Sequence, residues 1–395
     1  MLTSLALIFL LGLLFGVLFE RLKLPPFLGM IVTGMILGPH ALNLLDQSIL
    51  NISSELRQLA LVIILTRAGL SLDVADLKRV GRPAVLMCFV PASFEIIGVL
   101  VIAPIVLGIT LVQAAIMGSV IAAVSPAVIV PRMITIMGQG YGKKHSIPQL
   151  ILAGASVDDV FVIVLFTAFV SLAAGGSFSA IGFAEIPVSI LLGIIVGAVC
   201  GILLMTFFKR FHMRNSIKVL ILLSVSFLLI ECQNRLKGIV PISGLLAIMS
   251  LGIALYQKCP DLAERLASKY NKLWLAAQIL LFVLVGATVD LRYAKAQGHA
   301  AAVIVLGALL FRMMGVWVCL IKTGFPLREK WFCLLAYIPK ATVQAAIGAI
   351  PLSMGLAGGQ QVLTVAVLSI LITAPLGAMA IDRLYKTLLK QDGNT

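Results

Sequence analysis

Two adjacent carboxylates, Asp158 and Asp159, stand in the stretch AGASVDDVFVIVLF (residues 153–166), with no other charge between Gln149 and Ala184. Three more charged residues, Glu95, Arg312 and Lys340, fall well inside apolar runs. An ionised side chain at the centre of a bilayer costs about 3 kcal/mol on insertion scales, so each needs a partner or a function. Three acids against two bases leave one carboxylate without a permanent counter-charge. A carboxylate balanced between burial and a nearby cation can hold either a proton or a metal ion, and the two compete for it. The chemistry this predicts is exchange of a cation for a proton. Adjacent helix residues project about 100° apart, so the two aspartates are expected to face different neighbours, one toward Lys340 and the other toward an aqueous cavity. Neutralising pairs that only hold helices together suit Glu95 and Arg312 better than they suit the aspartates.

The elements that position these groups follow from composition. The chain has 395 residues, 61% hydrophobic and 12% charged, which is too little charge to cover a soluble surface of this size. Apolar runs long enough to cross about 30 Å of hydrocarbon recur throughout. The fold class is therefore an all-α polytopic membrane protein. Turn and charge punctuation predicts about 13 spans, near 3–19, 27–38, 56–71, 84–107, 110–137, 149–174, 187–208, 216–231, 241–256, 271–289, 299–321, 330–354 and 360–384. With the N-terminus outside, 22 of the 30 Lys and Arg fall in cytoplasmic loops and five in external ones, the remainder being Arg67, Arg312 and Lys340 in or at the edge of spans. That asymmetry supports the count and a cytoplasmic C-terminus. It also accounts for the net charge of +14 without a nucleic-acid partner. The first run is expected to be a retained span rather than a cleaved leader. Six scattered cysteines without C-x-x-C spacing read as packing residues, and the isolated His40, His145, His212 and His299 suggest no metal site. No phosphate-binding G-x-x-x-x-G-K-[ST] loop occurs, which weakens readings driven by ATP, and the chain is expected to be a transporter rather than an enzyme.

A shift of 217 positions aligns Asp73 with Asp290, Gly81 with Gly298, Gly98 with Gly315 and Glu95 with Arg312. It carries span 3 onto span 10, seven spans later, so the second copy would enter the membrane from the opposite side. Inverted repeats of this kind typify secondary transporters with a site at the midplane. The following span of each copy is interrupted by proline, at Pro126 and Pro131 in AAVSPAVIVPR and at Pro339 in AYIPKATVQAA. Both are expected to be discontinuous helices that cross, with freed carbonyls able to face a cation and half-helix ends presenting opposed partial charges.

The motifs AVSPAVIVP, SVDDV and IPKATVQAAIG closely resemble the cation/proton antiporter superfamily, and within it the NHA-type sodium/proton exchangers, over essentially the whole chain. The resemblance implies sodium (or lithium) for proton exchange by elevator-like alternating access in a homodimer of the plasma membrane. It implies that Asp159 is the essential ion- and proton-binding carboxylate, with Asp158 its partner in contact with Lys340; both would be ligands of the transported ion. Ser125 and Pro126 match the unwound part of the first crossing helix, Thr342 lies beside the second, and Glu95 with Arg312 matches a charged pair of this branch. The implied division is a scaffold (1–83 and 216–297), a moving core (84–174 and 298–395) and a linker helix (175–215). The expected partners are monovalent cations, protons and membrane lipids, with no cofactor. An Asp-Asp pair usually accompanies electrogenic exchange, but the Glu–Arg pair and the setting of Lys340 leave the stoichiometry open. Potassium/proton exchange and a sodium-coupled organic-anion symporter are the alternatives. An intramembrane aspartyl protease would draw its two acids from different helices, and a channel would need a filter motif such as T-V-G-Y-G, which is absent.

Overall fold

Inside lipid a backbone must satisfy its own polar groups, and apolar runs of this length can do so only as helices. The structure, a computed structural model, describes residues 1–71, 81–173, 180–211, 213–236, 240 and 242–391; Asp73 and His212 lie outside the described residues. In chain order the helices are α1 Leu2–Arg21, α2 Pro26–Leu37, α3 Gln47–Asn51, α4 Ser53–Gly69, α5 Arg82–Met87, α6 Val90–Leu107, α7 Leu111–Ile121, α8 Pro126–Gly138 and α9 Ile147–Ala173. They continue as α10 Ala180–Arg210, α11 Asn215–Arg235, α12 Gly244–Lys258, α13 Pro260–Ala287, α14 Leu291–Cys319, α15 Leu327–Ala336, α16 Thr342–Ile347, α17 Ile350–Ser353 and α18 Gly359–Leu388. Each expected span corresponds to a helix or to a broken helix. Among the described residues nine segments are long and apolar enough to cross a membrane. One break was not anticipated: the span at 84–107 is divided at Cys88–Phe89, ahead of Pro91, which has no N–H for the Met87 carbonyl and whose ring crowds it.

The chain divides into two compact units, Met1–Ser54 with Ala75–Phe169 and Phe282–Thr395, and Glu55–Val74 with Val170–Leu281. In the second, α10 lies along α12 through a stripe of small residues. Gly193, Gly197 and Gly201 are seated on Ser243, Ala247 and Leu251 in turn. Both series advance by four residues, so the two helices run parallel, and any larger side chain on the stripe would force them apart.

In the first unit α6 packs along α14. Gly98 leaves no room for a Cβ because Phe311 stands 2.7 Å from where it would be. Gly315 is closed in the same way by Pro91 and Phe94. Residue numbers rise on one helix as they fall on the other (98 against 311, 94 against 315), so α6 and α14 are antiparallel. Phe94 and Phe311 are themselves 217 positions apart, as are Gly98 and Gly315, so the two contacts are reciprocal. The offset read from the sequence thus recurs as a contact register.

The far end of α8 is tied to α18. Arg132 donates through Nε and Nη2 to the two oxygens of Asp382 (3.0 and 3.1 Å), and the Tyr385 hydroxyl lies 2.7 Å from Gln139 Oε1. His145 Nδ1 lies 2.7 Å from Glu329 Oε2, joining the loop after α8 to α15. The six cysteines are free thiols, three of them buried.

Candidate ion-binding site

Helix α7 ends at Ile121 and its continuation α8 begins at Pro126, where a residue without an N–H costs no helical hydrogen bond. Pro126 is therefore the first residue of the second half, while Pro131 lies within α8. Helix α15 ends at Ala336 and α16 begins at Thr342, leaving Tyr337–Ala341, with Pro339 at its centre, outside helix. The two breaks meet: the Ser125 N–H donates to the Pro339 carbonyl at 2.8 Å. Pro339 is also pressed against Gly377 of α18, where any Cβ would strike its ring.

Four of the five intramembrane charges gather at this crossing and are fully buried, with Glu95, Asp158 and Lys340 at 0% exposure and Arg312 at 1%. Arg312 is the hub. Its Nη1 donates to Glu95 Oε2 at 2.8 Å and to the Ala122 carbonyl, its Nη2 to Asp158 Oδ2 at 2.9 Å, and its Nε to the Tyr337 carbonyl at 2.9 Å. Only a guanidinium has enough donors in a fixed fork to bridge two carboxylates and two carbonyls at once. Lys340 Nζ donates to Glu95 Oε2 at 2.8 Å. Its backbone N–H is held by the Thr373 hydroxyl at 3.0 Å.

Two expectations are corrected here. Lys340 does not pair with Asp158; it pairs with Glu95, and Arg312 supplies the counter-charge of Asp158. Five carbonyls in and beside the breaks, expected to face a cation, accept hydrogen bonds from the protein itself. Arg312 covers those of Ala122 and Tyr337, Ser125 covers Pro339, and Gln344 Nε2 covers Ala123 at 2.8 Å and Ile121 at 3.4 Å. Those following α7 and α15 form the negative C-terminal ends of half-helices, which attract any donor within reach. The unwound backbone between α7 and α8 serves the acid instead, with the Val124 N–H donating to Asp158 Oδ2 at 2.8 Å.

Asp158 and Asp159 are divided by their surroundings. Asp158 is anchored through one oxygen, and its Oδ1 has no hydrogen-bond partner among the described residues. Asp159 is half-buried, makes no ion pair among the described residues, and also has a buried Oδ1 without a partner. The hydroxyls of Ser125, which precedes α8, and Thr342, the first residue of α16, are buried and have no hydrogen-bond partner among the described residues. Buried polar atoms are nearly always satisfied, so these four oxygens, together with the unpartnered Glu95 Oε1, Tyr337 hydroxyl and Gln344 Oε1 among the described residues, mark a place built to receive something. Oxygen donors of this kind suit a hard cation. Gln344, Thr373 and Tyr337 were not singled out from the sequence. Gln344 carried the one usable signal, an amide in the otherwise apolar run after Thr342; Thr373 looks like any helix threonine that bonds its own backbone.

Broken helices crossing at a cluster of buried charges, within a bundle of membrane-length helices, define a multi-spanning ion transporter. The family model described as "Sodium/hydrogen exchanger, transmembrane" matches residues 5–387. Sodium/hydrogen exchanger 9B2 of Mus musculus is 31% identical over 394 residues, covering 96% of this chain and 72% of that protein. The Homo sapiens protein of the same name is 32% identical over 383 residues, covering 93% and 70%. Among solved structures, the sodium proton antiporter MjNhaP1 from Methanocaldococcus jannaschii at pH 8 has the same fold, with a TM-score of 0.84 at 20% identity over 98% of both chains. The chain belongs to the sodium/hydrogen exchanger family, and it is a membrane antiporter rather than an enzyme.

Proposed function

We propose that the chain exchanges sodium or lithium for protons, with cation and proton competing for Asp159. The observation that carries this is the charge balance at the crossing. Glu95, Asp158, Arg312 and Lys340 neutralise one another, two negative and two positive. Asp159 is the remaining acid and has no counter-charge among the described residues. Its charge must therefore be balanced by whatever arrives, either a proton or a metal cation. Asp158, fixed through Oδ2, turns its other oxygen to the same task, and the Ser125 and Thr342 hydroxyls offer neutral ligands.

The inverted arrangement suits alternating access, in which the core (84–174 and 298–395) moves as an elevator against the scaffold (1–83 and 216–297), with 175–215 linking them, in a lipid-embedded homodimer. The charge asymmetry of the loops favours a plasma-membrane protein with its N-terminus outside and its C-terminus in the cytoplasm. Proton movement in proteoliposomes, driven in turn by sodium, lithium and potassium and repeated with the membrane potential clamped, tests the proposal. Sodium and lithium should dissipate an imposed pH gradient. Movement by potassium alone would transfer the proposal to potassium/proton exchange, and no cation-coupled proton movement would defeat it. Dependence of the rate on the clamped potential reads out whether the exchange is electrogenic.

A further inference from the structure

At the first break, three consecutive carbonyls, those of Ile121, Ala122 and Ala123, come free as α7 ends. Arg312 takes the middle one, and Gln344 takes the other two from the far side of the crossing. Gln344 is 1% exposed, and its Oε1 has no partner among the described residues. Its orientation is set by chemistry, since only the NH2 end can face two carbonyl oxygens. The carbonyls belong to the first repeat and the amide to the second, so their contact exists only because the two breaks cross.

We propose that Gln344 determines the cation selectivity of the site by closing the carbonyl end of the first break to the transported ion. The proposal rests on the cation/proton exchange reading above. Rows of carbonyl oxygens can replace the hydration shell of a large alkali cation, as they do in potassium-selective pores. A site of carboxylate and hydroxyl oxygens places concentrated charge on the ion and suits the smaller sodium and lithium ions. With the Gln344 nitrogen in place each of the two carbonyls has one lone pair engaged and an amide N–H group standing before it, so the ion is directed to the acid and hydroxyl oxygens. Without it, Ile121 and Ala123 present two free acceptors in a region where both residues are 0% exposed. Removing an N–H donor there leaves buried acceptors whose best remaining partner is a cation.

The test compares wild type, Gln344→Met, which keeps length and loses the donor, and Gln344→His, which keeps an N–H at similar reach. Proton flux in proteoliposomes is measured against concentration for lithium, sodium and potassium. The sodium-over-potassium preference in apparent KM should fall about tenfold in Gln344→Met, the scale of one hydrogen-bonding group, and should return toward wild type in Gln344→His. A merely structural role would lower flux for all three ions in proportion and leave the preference unchanged, which would overturn the proposal. Thermal stabilisation of Gln344→Ala by each of the three chloride salts gives a binding readout should Gln344→Met fail to reconstitute. There, stabilisation by potassium approaching that by sodium supports the assignment, and an unchanged order of salts overturns it. Wild type without cation-driven proton movement would defeat the exchange reading itself; wild-type exchange with an unaltered preference in the variants defeats only the role of Gln344.

Discussion

Glu95 and Lys340 allow the charge balance of the crossing to be measured. Replacing Glu95 by Gln leaves Arg312 and Lys340 facing a single paired carboxylate, Asp158. Replacing Lys340 by Met leaves Glu95 and Asp158 sharing one guanidinium. Removing one member of a buried ion pair costs about 3–5 kcal/mol, because the group left behind stays buried without its counter-charge. Lys340→Met should lie at the low end of that range, since Glu95 keeps its 2.8 Å bond to Arg312. Glu95→Gln should lie higher, because Lys340 loses the one carboxylate it touches. The double variant restores neutrality, keeps the Arg312–Asp158 pair, and leaves an amide oxygen that can still accept from Arg312. It should therefore be more stable than the summed single losses imply, by about 1–3 kcal/mol of coupling. Thermal unfolding of the four proteins in one detergent–lipid mixture reads this directly. Additive losses, with coupling below about 0.5 kcal/mol, would refute the shared charge balance and with it the isolation of Asp159.

Arg312→Met should be the most damaging single change, since it deprives two carboxylates and two carbonyls at once; a loss above about 5 kcal/mol rivals the whole stability of many proteins, and monodisperse yield after purification checks it. Gly98→Val and Gly315→Val should each destabilise by about 1–3 kcal/mol through overpacking, more at Gly315, where the added atoms meet the Pro91 backbone rather than a side chain alone; unchanged melting temperatures would contradict the register. Outside the membrane, the backbone N–H groups of Tyr293 and Arg292 hold the Asp290 carboxyl below its ordinary value of 3.8. A depressed folded-state value means that this contribution is complete above the ordinary range and is lost as pH falls through the folded value. Melting temperature should therefore drop on strong acidification, and Asp290→Asn, which caps α14 without a charge, should remove that part of the pH dependence.

How far the site could be read from the sequence depends on how costly each residue would be if it served no purpose. Asp158, Asp159, Glu95, Arg312 and Lys340 are legible because charge in an apolar run is expensive, and the breaks are legible because proline removes a donor. Gly98 and Gly315 are legible as a pair through their shared offset with Glu95 and Arg312. The pairing itself is not legible. Whether Lys340 reaches Glu95 or Asp158 depends on the course of an unwound backbone, which leaves no periodic trace. The partners of the broken backbone were missed because Gln344, which covers carbonyls, and Thr373, which accepts the Lys340 N–H, are ordinary residue types, whose importance comes only from which segment they meet at the crossing. The interruption at Cys88–Phe89 had its signal in Pro91, but the apolar run continues through it and masks the boundary.

The central claim is that Asp159 exchanges its proton for the arriving cation while Asp158 stays committed to Arg312. Adding sodium chloride to purified, weakly buffered protein and recording proton release tests it most directly. Wild type should release protons on sodium addition. Asp159→Asn should release none while keeping its folded melting profile. Release from Asp159→Asn equal to that from wild type would place the exchanging group elsewhere and contradict the account.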